Sequence, residues 1–289
     1  MIEIRPARPD ELPRVKELWG LAFGDDGGFI DRFFALAGGE TLLLFEDGAA
    51  WTMTVLLPVT VTLPDGGMAS SAYVYALCTH PDAREKGYGR FLLKYVDFYC
   101  KEKGLDCLTI VPAEPSLHRY FAATGFSECF STRKVELLRE MIAAPSSADA
   151  LEPVTANEYN RLRETLLSGT LHVSYGGGLL ELQRFFGAPD GGLWKLTVGG
   201  VSGVCAVERP DEDTVLVKEL VLPPERMAGA AALLARQWPA RRYHLRTPSA
   251  WEGLSGSYLQ NFGMIKWYTP DLERVWREER KGYMGLGFD

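Results

Sequence analysis

Leu77-Cys78-Thr79-His80-Pro81-Asp82-Ala83-Arg84-Glu85-Lys86-Gly87-Tyr88-Gly89 is the stretch whose reading decides the fold. An apolar strand over residues 73–79 runs into it, and a helix leaves it. Leu92, Tyr95, Val96 and Tyr99 fall at i, i+3, i+4 and i+7, which gives that helix one apolar face. A strand that passes through a glycine-containing turn into a helix makes an anion site. The first helical N–H groups lack intrahelical partners, and the helix dipole adds partial positive charge there. Gly87 and Gly89 carry no side chain, so a diphosphate could approach the backbone closely. Arg84 and Lys86 bring positive charge, and Arg90 sits one residue into the helix. Read alone, an RxxGxG turn is more often a connection that binds nothing. The flanking elements give it weight.

Upstream, residues 2–7 read as a strand, and Leu12, Val15, Trp19 and Ala22 repeat at helical spacing after Pro9-Asp10. A second helix is expected over 28–37 and a strand over 41–45. The hairpin signal Asp47-Gly48 then leads into a long strand over 51–63, where Pro58 requires an edge or a bulge. Downstream, Gly104 ends the helix, 107–111 forms a strand, 116–124 a helix, and Gly125-Phe126 opens the next strand. The order is that of an α/β chain with a mixed sheet.

The second half repeats the first in outline. A shift of 142 positions places Pro223 on Pro81, Arg226 on Arg84, Gly229 on Gly87 and Ala231 on Gly89. Residues 215–222 supply the matching strand, and Ala230, Leu233, Leu234 and Trp238 mark the matching helix. Residues 243–247 parallel the strand at Cys107, and Gly263-Met264 parallels Gly125-Phe126. The Pro-, Ser- and Ala-rich stretch 143–150 reads as a linker, so domains are expected at 1–142 and 150–289. Pro223-Pro224 stiffens the second turn, and Met227 and Ala228 stand where the first copy has charge. The second copy is therefore expected to be degenerate.

Bulk composition narrows the class. A chain of 289 residues with 46% hydrophobic and 24% charged residues suits two globular domains, each able to bury a core. No apolar run approaches the ~18 residues of a membrane span. Met1-Ile2-Glu3-Ile4-Arg5 reads as a strand and not as an export signal. Five cysteines without a CxxC pair point to free thiols in a reducing, cytoplasmic setting and give no zinc site. The four histidines are scattered, and His80 and His118 are expected at the surface. A net charge of −7 argues against nucleic acid as a partner.

The quoted stretch resembles the acetyl-CoA motif of the GNAT superfamily of N-acetyltransferases: a strand, then (Q/R)xxGx(G/A), then a helix. Tyr120-Phe121-Ala122-Ala123-Thr124-Gly125-Phe126 resembles the family's closing helix-to-strand segment. The match in element order covers about residues 1–138. The resemblance implies two tandem GNAT-like domains, with the sheet of the first splayed between the strand ending at Thr79 and the strand at 107–111. Pantetheine would bond the backbone of Leu77 and Thr79, with Cys78 as a small wall residue. The diphosphate would sit on N–H groups from Glu85 to Arg90. The implied cofactor set is thus Leu77, Cys78, Thr79, Arg84, Glu85, Lys86, Gly87, Tyr88, Gly89 and Arg90, with acetyl-CoA as cosubstrate and no metal. An acceptor amine on a small molecule or peptide would attack the thioester directly.

The chain departs from the pattern at the general acid. Many members carry a tyrosine four residues before the Gly of Gly-Phe; here that position is Phe121, and the tyrosine is Tyr120. One residue turns about 100° around a helix. Tyr120 is the candidate acid and Glu114 the candidate base, while Tyr73 and Tyr75 would shape the acceptor pocket. One branch, the enhanced-intracellular-survival acetyltransferases, uses its chain terminus as base, and Gly287-Phe288-Asp289 is the comparable segment. Two rivals follow from the same residues: a non-catalytic acyl-CoA sensor, and an aminoacyl transferase of the Fem type, which the acidic balance disfavours.

Overall fold

The computed structural model describes residues 1–274 and 281–288. The chain forms two compact units, each discontinuous in sequence. The first holds Met1–Val61, Ala69–Glu128 and Met264–Arg274; the second holds Thr62–Met68, Cys129–Gly263 and the described residues from 281 onward. This division does not coincide with a linear cut between 142 and 150, because each half surrenders a strand.

In the first unit, β1 (Ile2–Pro6), α1 (Leu12–Phe23), α2 (Gly27–Ala37), β2 (Glu40–Glu46), β3 (Ala49–Thr62), β4 (Met68–Thr79), α3 (Tyr88–Glu102), β5 (Cys107–Ile110) and α4 (Pro115–Ala122) follow in order. Helix α1 buries Val15, Leu18 and Trp19, the i, i+3, i+4 stripe of a core-facing helix, and stops at left-handed Gly24. Asp26 caps α2 by accepting the Phe29 N–H at 2.8 Å. Leu92, Leu93 and Val96 of α3 pack with Leu42, Leu44, Val74, Leu108 and Ile110 of the sheet.

Strands β1, β2 and β3 form an antiparallel meander. Strand β4 runs parallel to β5 only from Ser71, opposite Cys107, to Val74, opposite Ile110. There β5 ends, while β4 continues to Thr79. Ala76, just past this point, holds φ +48°, a left-handed conformation unusual for a residue with a Cβ. The sheet is therefore open between β4 and β5, as expected.

The other edge of β5 is the principal departure from the sequence reading. The segment opened by Gly125-Phe126 becomes β6 (Ser127–Leu138), which pairs in the second unit. Met264–Trp267, at the end of β13 (Tyr258–Trp267), lies antiparallel on β5 in its stead. Lys266 fastens this strand: its ammonium pairs with Asp97 of α3 and donates to the Thr124 carbonyl at 2.7 Å. The Tyr268 hydroxyl donates to Asp97 at 2.8 Å, and Thr269 donates to Asp106 at 3.0 Å.

The second unit contains β7 (Ala150–Pro153), α5 (Ala156–Leu166), β8 (His172–Tyr175), α6 (Gly177–Phe186), β9 (Gly192–Val198), β10 (Val201–Asp211), β11 (Thr214–Val221), α7 (Met227–Gln237) and β12 (Arg242–Pro248); α8 (Pro270–Glu273) belongs to the first. The sheet order β6-β12-β11-β10-β9-β7 repeats the logic of the first unit. Strand β11 is parallel to β12 only from Thr214 to Val217 and then runs on without it to Val221, still paired with β10 on its other edge. Here the opened strand carries Glu219, fully buried. Arg163 of α5, also fully buried, donates to it at 2.8 Å, and Tyr159 donates at 2.7 Å. A carboxylate without solvent is tolerable only with such partners.

Replacing Glu219 by Ala leaves the buried Arg163 Nε and Tyr159 hydroxyl without their acceptor, with Glu164 at 2.9 Å as the remaining carboxylate on Arg163, and should cost about 2–3 kcal/mol. Urea unfolding monitored by tryptophan fluorescence reads this. A loss below about 1 kcal/mol, the range of an exposed pair, contradicts the assignment.

Candidate active site

Strand β4 is held to its exit by side chains and backbone together. The Thr54 hydroxyl donates to the Tyr75 carbonyl at 3.0 Å, the Thr52 and Thr79 hydroxyls meet at 3.1 Å, and the His80 N–H donates to the Trp51 carbonyl at 2.8 Å. Pro81–Ala83 then forms one tight helical turn, with the Asp82 N–H donating to His80 Nδ1 at 3.2 Å. Glu85 and Gly87 follow with φ of +67° and +78°. The glycine adopts this at no steric cost, whereas Glu85 holds a strained backbone. Gly87 is the N-cap of α3, and its carbonyl accepts from the Arg90 and Phe91 N–H groups at 3.1 Å. The N–H groups of Tyr88 and Gly89 therefore lack intrahelical acceptors at the positive end of a four-turn helix.

An open cavity of ≈320 Å³ lies over this turn. Thr79, Ala83, Arg84, Glu85, Gly87, Tyr88, Gly89, Arg90 and Tyr120 line it. Seven of the ten residues expected around the cofactor are thus brought together, with Tyr120 from α4 as the eighth member of the predicted set. Ala83, buried as part of the lining, gave no signal of its own in the sequence.

The remaining expected residues lie elsewhere. Lys86 turns away from the cavity: its Nζ is 3.3 Å from Glu46 and sits over the Trp51 and Tyr88 rings at 5.8 and 5.5 Å. Its charge is spent on a surface pair. Leu77 and Cys78 lie half-buried on β4, outside the lining of the cavity. Burial pushes the Cys78 thiol up to about 12, with Arg84 pulling weakly the other way, and its Sγ–H reaches the Leu18 carbonyl at 3.6 Å. Such a thiol stays protonated near neutrality and is no nucleophile.

Glu114 is exposed at the N-cap of α4, accepts from the Ser116 hydroxyl at 3.3 Å, and takes no part in lining the cavity. Tyr75 stacks on Phe33 at 5.3 Å, with Trp19 tilted against it at 5.9 Å and Tyr73 edge-on at 5.6 Å, so the two tyrosines join one aromatic cluster with α1 and α2. His118 meets Glu128 at 2.6 Å and is half-buried, where the sequence put it at the surface. Asp289 lies outside the described residues. Among those described, no cluster of three His, Cys, Asp or Glu side chains is placed to hold a metal, and no helix is long and apolar enough to cross a membrane.

The corresponding turn of the second unit is filled. A Cβ at Gly229 would stand 2.3 Å from Val198, and the Arg226 guanidinium packs over Gly199, whose N–H bonds Asp149 at 2.9 Å. Met227 and Ala231 are buried. The offset that pairs Gly229 with Gly87 also pairs Glu219 with Leu77. At Gly285 a Cβ would lie 2.0 Å from Glu219 Oε1, so the carboxyl-terminal segment closes over this strand.

Comparison with known proteins fits this geometry. Residues 3–124 match the family model of the acetyltransferase (GNAT) domain. Similar folds occur in a GCN5-related N-acetyltransferase from Kribbella flavida (15% identity, 94% of this chain and 72% of that one, TM-score 0.70). A GCN5-related N-acetyltransferase from Anabaena variabilis is comparable, at 12% identity, 92% and 72% coverage and a TM-score of 0.71. A tandem GNAT protein from the clavulanic acid biosynthesis pathway aligns over 92% of this chain and 98% of its own, with 15% identity and a TM-score of 0.56. A search of curated protein sequences finds no match. Residues 3–124 therefore belong to the acetyltransferase (GNAT) domain family. That domain is of the acyltransferase class, and the mixed α/β fold of the chain is like that of the tandem GNAT protein.

Two measurements check the site. Gly87→Glu forces a side chain onto a φ of +78°, a strain of about 1–2 kcal/mol that leaves the protein folded but removes its thermal stabilisation by acetyl-CoA. Glu85→Gly, which relieves strain, keeps that stabilisation; equal ligand shifts in both variants contradict the backbone reading. Separately, iodoacetamide at pH 7 should leave Cys78 unmodified in the native protein, with labelling rising steadily toward pH 10, as mass spectrometry reads; prompt labelling at pH 7 contradicts a thiol held near 12.

Proposed function

We propose that the protein is a cytoplasmic N-acetyltransferase that moves an acetyl group from acetyl-CoA to a primary amine of a small molecule or peptide. The observation that carries this reading is the N–H-lined turn at Gly87–Gly89, set between an opened strand and Arg84 and Arg90. A diphosphate placed there meets two unpartnered amides, the helix dipole and two guanidinium groups at once. Pantetheine would run along β4 past Thr79, Cys78 and Leu77, where β5 offers no pairing and the strand's amides match its own. The thioester would then lie near the left-handed break at Ala76, where a turned backbone N–H can polarise the carbonyl.

The amine attacks the carbonyl carbon directly. As the C–N bond forms and the C–S bond breaks, the sulfur keeps the electron pair and the ammonium proton passes to water. Holding both reactants together supplies much of the acceleration. Cys78 takes no covalent part, since a protonated thiol offers no nucleophile. Glu114, exposed and away from the turn, is a base only if a water bridges it. All five cysteines are free thiols, in keeping with a reducing compartment.

Isothermal titration with acetyl-CoA should give one site per chain, because only the first unit keeps its turn open. No heat of binding contradicts the proposal, and two sites contradict the filled state of the second turn.

A further inference from the structure

Tyr120 stands in a place that the general-acid role does not explain. Its neighbour Phe121 is buried and meets Phe126 edge-on at 6.0 Å, which fixes the rotation of α4 about its axis. With Phe121 in the core, Tyr120 is turned about 100° away. It lines the cavity over the Arg84–Arg90 turn, and its hydroxyl lies 3.2 Å from where a Cβ on Gly89 would be. Gly89 is the second residue of α3, so the phenol reaches the helix amino terminus itself. No protein hydrogen bond to this hydroxyl occurs among the described residues. Burial raises the phenol above its ordinary value, against the pull of Arg90, so it stands as a neutral O–H donor at physiological pH.

We infer that Tyr120 holds the diphosphate of the cofactor and does not protonate the departing thiolate. This rests on the acetyltransferase reading above and assigns one side chain within it. An O–H donor beside two free amides and two guanidinium groups completes a ring of donors around one anion. It also gives Gly89 a second reason to be glycine: a side chain there would displace the phenol as well as the ligand. The thiolate leaves unassisted, which is open to a thiol with an ordinary pKa of about 8.5.

The test is Tyr120→Phe, which keeps the ring and its edge-on contact with Phe121, and whose melting temperature should match the wild type. CoA binding is measured by isothermal titration. Thiol release is followed from acetyl-CoA and from S-acetylpantetheine, which lacks the diphosphate, with water as acceptor. The expected result is a rise of about tenfold in the Kd for CoA, thiol release from saturating acetyl-CoA within twofold of wild type, and no change with S-acetylpantetheine. An unchanged Kd, or an equal loss of thiol release with both donors, overturns the inference and restores the acid role. Failure of the wild type to bind CoA at all would remove the acetyltransferase reading first, and the role of Tyr120 with it.

Discussion

The parting of β4 from β5 after Val74 and Ile110 is the constraint from which the site follows. A parallel strand that loses its neighbour leaves a row of backbone N–H and C=O groups needing partners, each costing about 1–3 kcal/mol if buried and unmet. A ligand with amides spaced along an extended arm can meet that need. Strand β4 then delivers the chain, through Pro81–Ala83 and two left-handed residues, to the start of α3. Strand edge and helix terminus thus become one continuous polar track, along which the proposed cofactor would lie.

The second unit shows what happens when the same parting is met internally. Strand β11 leaves β12 after Val217, yet its opened stretch carries Glu219, locked by Arg163 and Tyr159 and covered by Gly285. Its turn is packed with Val198 and Arg226. The vacated edge has been filled by protein groups. A duplicated fold can keep its architecture while its ligand track becomes core, because the opening is a property of strand length and the track a property of side chains.

Much of the site was legible because it rests on local features. The strand, the RxxGxG turn and the apolar face at Leu92 and Val96 lie within about two dozen residues, where periodicity and glycine placement speak directly. The repeat was legible for the same reason. The exchange of β6 and β13 was not. Gly125-Phe126 and Gly263-Met264 each announce a strand, but nothing in either names its partner, and the tie that decides it, Lys266 to Asp97 and Thr124, spans far more sequence than any local pattern. The orientation of Lys86 was hidden similarly, since Glu46 that claims it lies on a different strand.

The central claim is that main-chain amides at the start of α3 hold a nucleotide diphosphate. A crystal structure after soaking in CoA tests it most directly. The account predicts diphosphate density on the N–H groups between Gly87 and Arg90, within reach of Arg84. Density for the ligand at another position, with this turn left bare at saturating CoA, would contradict it.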